Sequence, residues 1–63
     1  MERLVLHIED DVELQSLISA AQRGAGREYL RARPVLLEFL RAADEIVGDE
    51  EEIEILRALL AEE

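Results

Sequence analysis

Few side chains in this sequence are equipped for chemistry. His7 is the only imidazole, Ser16, Ser19 and Tyr29 are the only hydroxyls, and cysteine, lysine and threonine are absent. A hydroxyl nucleophile needs a base within hydrogen-bond reach, and that base needs a third group to orient it. His7, Ser16 and Ser19 all fall in segments with a regular secondary-structure pattern, and none has an evident triad partner. No enzyme activity is expected and no catalytic residue is assigned. Carboxylates are abundant, but the run from Asp49 to Glu54 lacks the loop spacing and the glycine of a calcium-binding hand, so it reads as a helix start. Gly24-Ala25-Gly26-Arg27, with Arg23, Arg27 and Arg31 at four-residue spacing, has the makings of an anion cradle at a helix N-terminus. Without a Walker lysine or a dinucleotide-binding context, it reads as a glycine cap beside a solvated arginine face. No cofactor, metal or small-molecule substrate is expected.

What remains is recognition of another protein. Tyr and Arg dominate interface hot spots, and Tyr29 stands among Arg27, Arg31 and Arg33. A structural role, with the ring on the core and the hydroxyl in water, fits Tyr29 equally well. Residues 3–8 offer a second surface. If the segment is extended, Leu4, Leu6 and Ile8 share one side and Arg3, Val5 and His7 the other. The candidate interaction residues are therefore Arg3, Val5, His7, Arg27, Tyr29 and Arg31, and the candidate partner is another protein or a second copy of the chain. Sixteen acids against seven Arg give a net charge of −9, which repels nucleic-acid phosphates and anionic lipid headgroups. Neither nucleic acid nor a membrane is an expected partner. Residues 2–8 are too short an apolar run for a signal peptide or a membrane span, and no lipidation or targeting signal is evident, so a soluble chain is expected.

Sixty-three residues permit one small domain over residues 1–63, with an aliphatic core, since Tyr29 and Phe39 are the only aromatics. Ala, Glu, Leu and Arg make up 38 residues, a usage that favours helices. The expected fold is mainly α: a three- to four-helix bundle with a short N-terminal extended segment over residues 3–8. That segment reads as a strand, with a short helix as the alternative. Asp10 and Glu13 form a capping-box pattern ahead of Leu14, Leu17, Ile18 and Ala21, predicting a helix from Asp11 to Arg23. Pro34 divides the next stretch into Arg27 to Ala32 and Pro34 to Val47. The second piece presents Leu36, Leu37, Leu40, Ala43 and Val47, widened by Phe39 and Ile46. Gly48 ends it. Asp49 and Glu52 open a final helix from Glu50 to Glu62 that buries Ile53, Leu56 and Leu60, flanked by Ile55 and Leu59. No other segment alternates in the manner of residues 3–8, so a strand there predicts pairing with a second molecule. Charge is layered: −4 over residues 1–20, +3 over 21–43 and −8 over 44–63. Such layering predicts weak ion pairs between a basic middle helix and acidic neighbours.

Three resemblances follow from these residues. The capped starts at Asp10 and Asp49, the glycine and proline punctuation and the closing Glu-Glu-Glu-Ile-Glu-Ile-Leu-Arg-Ala-Leu-Leu-Ala-Glu-Glu look like a computationally designed helical miniprotein. That resemblance implies a scaffold or binding module without chemistry of its own. A strand, an acidic cap, a helix, a glycine turn and a second helix is similar to the order in ribbon-helix-helix dimers. There, strands from two chains pair, and the outward residues, here Arg3, Val5 and His7, read DNA. Pro34 and the −9 charge depart from that pattern, so the implied reading is a homodimeric regulator paired through residues 3–8. Glu9-Asp10-Asp11 after a possible strand resembles the opening of a receiver domain, in which Asp10 and Asp11 would bind magnesium. That likeness covers residues 3–26 only, and the chain has no lysine to complete it.

Overall fold

The computed structural model describes Glu2 to Glu62. In it the chain runs through a strand β1 (Val5–His7), a 3-10 turn (Ile8–Asp10), helices α1 (Val12–Gln22), α2 (Gly26–Arg31) and α3 (Pro34–Ala42), a strand β2 (Glu45–Val47) and a last helix α4 (Glu50–Glu62). The mainly α expectation holds, with four helices and a two-stranded sheet. The Cα radius of gyration is 10.8 Å, against about 10.6 Å for a fully collapsed chain of this length.

Each boundary has a local cause. Asp11, extended at φ −119°, caps α1 by accepting from the N–H groups of Glu13 and Leu14. The cap is thus one residue later than the Asp10 expected from the sequence, because Asp10 is taken up in the 3-10 turn. Gln15 fixes that turn to the helix by donating to the carbonyls of Ile8 (3.3 Å) and Glu9 (2.8 Å). At the other end of α1, Gly24 takes φ +79°. Its N–H bonds to Ala21 (3.0 Å), and the N–H of Ala25 bonds to Ala20 (2.8 Å). These are the two bonds of a Schellman termination, which needs a left-handed residue. Pro34 starts α3 as its first helical residue, where its missing N–H costs nothing.

Two expectations are corrected. The helix from Pro34 does not continue to Val47: it stops at Ala42, Ala43 turns extended at ψ 132°, and Glu45–Val47 form β2. Residues 3–8 therefore do not lack an internal partner. β1 pairs with β2 in parallel, with Val5 opposite Glu45, Leu6 opposite Ile46 and His7 opposite Val47. A parallel pair needs a long crossover, which the 3-10 turn, α1, α2 and α3 provide. The entry to the ladder is a reciprocal clamp. Leu4 donates its N–H to the Asp44 carboxylate (2.8 Å), and its carbonyl accepts from the N–H groups of Asp44 (2.8 Å) and Glu45 (3.4 Å). Arg3 and Glu45 pair above it at 3.1 Å.

The core is one aliphatic cluster of Ile8, Leu14, Leu17, Ile18, Leu30, Leu40, Leu56 and Leu59, with Leu6 and Ile46 of the sheet packed against it. The last helix is rotated slightly from expectation, burying Leu59 while Leu60 and Ile53 are half-buried. One position beyond the ladder, Ile8 crosses into the core against Gly48. A Cβ at Gly48 would stand 2.7 Å from Ile8 Cδ1 and 3.1 Å from its Cβ, so any side chain there would press Ile8 out of place.

Two outcomes follow from this packing. Leu56→Ala and Leu40→Ala, at residues 0% and 3% exposed, should each cost about 2 to 5 kcal/mol in chemical denaturation; unchanged midpoints would mean that these leucines do not hold the core. Gly48→Ala should cost about 1 to 3 kcal/mol by displacing Ile8, and a melting temperature equal to that of the parent would show that Ile8 does not occupy this space.

Candidate functional site

The sequence-derived candidates occupy different parts of the fold. Arg3 pairs with Glu45 at the sheet, Val5 is half-buried within β1, and His7 is exposed at its end. Arg27 reaches α4, with its Nε 3.7 Å from a Glu62 carboxylate oxygen. Arg31 is exposed at the end of α2. Tyr29 is half-buried against the core, and its hydroxyl donates to Glu13 at 3.1 Å.

Tyr29 belongs to a small polar knot that sequence spacing did not suggest. Glu13 of α1 receives both the Tyr29 hydroxyl of α2 and the Arg33 Nε at 3.2 Å, and the Arg33 guanidinium carbon stands 4.0 Å above the centre of the Tyr29 ring. Three successive elements are joined in this way, Arg33 being the residue that leads into α3. The side chains of Arg33 and Glu13 are 43% and 55% exposed, so solvent screens the pair and its worth is on the order of 0.2 to 1 kcal/mol. The cation over the ring adds a comparable amount. The knot separates two surface hollows. One is polar and shallow, lined by Gln15, Ser16, Ser19, Arg23, Tyr29 and Arg33 beside the exposed Val12. Its Arg33 is already engaged by Glu13 and Tyr29.

The other hollow is apolar. It lies between β1 and α3, encloses about 530 Å³, and is walled by Leu4 and Leu6 on one side and Val35, Leu36 and Phe39 on the other. Asp11, Glu13 and Arg33 stand at its charged margin. The spacing of Val35, Leu36 and Phe39 places them on one face of α3, and Leu4 and Leu6 share a face of the strand by alternation. Val35 is 62% and Phe39 51% exposed. One of two aromatic side chains in a small chain therefore spends half its surface on solvent, an arrangement out of keeping with a role confined to packing. Sequence periodicity had assigned Phe39 to the buried face of a longer helix. The signal available was the excess of apolar residues on that segment over what one helix face can bury.

Double-mutant analysis of the knot should give a measurable coupling. Tyr29→Phe and Glu13→Ala should each cost about 0.5 to 1 kcal/mol in urea denaturation, with the double variant losing less than the two together; strictly additive losses would show that the hydroxyl and the carboxylate are not partners. The sequence matches no protein-family model, and comparisons with curated proteins and with solved structures find no significant match.

Proposed function

We propose that this chain is a non-enzymatic protein-binding module, a small scaffold that receives its partner in the groove between β1 and α3. The observation that carries this reading is the exposure of Val35 and Phe39 beside Leu4 and Leu6. A concave apolar hollow of about 530 Å³ falls within the size of ligand clefts, and a central aromatic anchored in such a cleft is the usual seat of binding energy. The resemblance to designed helical miniproteins is in keeping with a rigid support for such a surface. The chain's hydroxyls serve structural contacts or face solvent, which gives no support to a chemical role.

A second reading, a homodimer paired through residues 3–8 as in ribbon-helix-helix proteins, is favoured by one feature. Because Leu4 turns its carbonyl toward Glu45 and Val5 stands opposite Glu45, Val5 directs its own N–H and C=O to the opposite edge of β1. That edge is a template for another strand. β2 has already taken the inner edge, so a second copy is not needed to complete the fold. Light scattering at millimolar concentration decides between monomer and dimer.

The groove reading is tested by selecting peptides from a displayed library against the chain and mapping the binders by amide chemical shifts. The selected peptides should perturb Leu4, Leu6, Val35 and Phe39, and Phe39→Glu should weaken them at least about tenfold without lowering the melting temperature. Binders that map elsewhere, or that ignore Phe39→Glu, would overturn it.

A further inference from the structure

We infer that the groove between β1 and α3 takes a cationic amphipathic helix of another protein, with apolar side chains against Leu4, Leu6, Val35 and Phe39 and basic residues over the rim. This rests on the groove being the binding surface. The conformation of the guest follows from where the groove lies. Leu4 and Leu6 line it with their side chains, so it sits on a face of the sheet, whereas strand addition takes place in the plane of the sheet at its edge. A segment lying in the groove gains no ladder from β1 and must satisfy its own backbone N–H and C=O groups. A helix does so, and it presents apolar anchors at i, i+3, i+4 and i+7.

The charge of the guest follows from the rim. Of the charged residues lining the groove, Arg33 is engaged by Glu13 at 3.2 Å and lies over Tyr29, so the carboxylate of Asp11, which caps α1, has no cation partner among the described residues. Glu38 is exposed on α3 one turn from Val35, and Glu2, Glu9 and Asp10 are exposed on the strand side. Arg3, the one arginine on that side among the described residues, is paired with Glu45 at 3.1 Å. The whole chain carries −9. A second copy would bring the same negative rim and the same net charge, and an acidic helix would be repelled in the same way. A basic helix is attracted at long range and finds a net negative rim at contact.

The test uses two helical peptides with identical leucines at i, i+3, i+4 and i+7, one with Lys and Arg and the other with Glu at the flanking positions. Each is titrated into the isotope-labelled chain at about 50 mM and about 500 mM salt, with affinity read by fluorescence anisotropy and location by amide shifts. The basic peptide should bind about tenfold or more tighter at low salt, with perturbations at Leu4, Leu6, Val35 and Phe39, and its advantage should shrink at high salt. Glu38→Lys, a surface change with no fold contact to lose, should reduce that advantage about two- to fivefold. Equal affinity of the two peptides with shifts in the groove would overturn the charge assignment and leave the groove reading standing. Binding of neither peptide, or shifts of the basic one confined to the acidic start of α4 at Glu50 to Glu54, would overturn both.

Discussion

Leu4 and Asp44 are 40 positions apart in sequence, and the bonds between them bring the chain's first strand back beside its second. Closing a loop of that length costs roughly 3 kcal/mol plus a length-independent part. Three residues of parallel ladder return about 1 kcal/mol per bond, so the hydrogen bonds alone do not outweigh the closure. The balance is decided by apolar burial on the inner face of the sheet. Ile8 is 1% exposed, and Leu6 and Ile46 pack against the same cluster; a fully buried Ile alone contributes about 2 to 3 kcal/mol. The other features depend on this closure. Gly48 has to be small because Ile8 comes to rest against it, and α4 starts where it does because β2 ends there.

The same closure creates the groove. With β1 held against β2, Leu4 and Leu6 are fixed opposite α3, and Arg33 is tied by Glu13 and Tyr29 at the point where α3 begins. Both walls are thus positioned by contacts that do not use the apolar side chains facing the groove. A surface whose walls are held in this way loses little conformational freedom when something fills it, which is the condition under which a modest apolar area can still give useful affinity.

Much of the architecture was legible in the sequence because it is written locally. The acid ahead of Leu14, the glycine after α1 and Pro34 each act within a few residues, and the 3.6-residue repeat of α1 is unambiguous. Gly48, expected to end a helix, instead makes room for Ile8 forty positions away. β2 was not legible. Leu36, Leu37, Leu40, Ala43 and Val47 fit a helical repeat, and three residues are too few to show alternation; the only hints were the adjacent β-branched Ile46 and Val47 before a glycine. Just past the end of α3 at Ala42, Asp44 is bonded to Leu4, a contact between distant positions that no window on the chain contains. The groove was half legible for the same reason. Phe39 was visible as a large apolar residue, but whether it is covered depends on where α3 stops and on what lies across from it.

The crossover between β1 and β2 also orders events in time. On a ribosome adding about 5 to 20 residues per second, β1 is made roughly 2 to 8 s before β2, while α1 and α2 can close their own turns within microseconds. During that interval Leu4, Leu6 and Ile8 have no ladder, because the strand that completes it has not been made. Until Glu45 to Val47 are beside it, β1 has no backbone partner on either edge. The first strand's inner edge is thus completed only when nearly three quarters of the chain has been made.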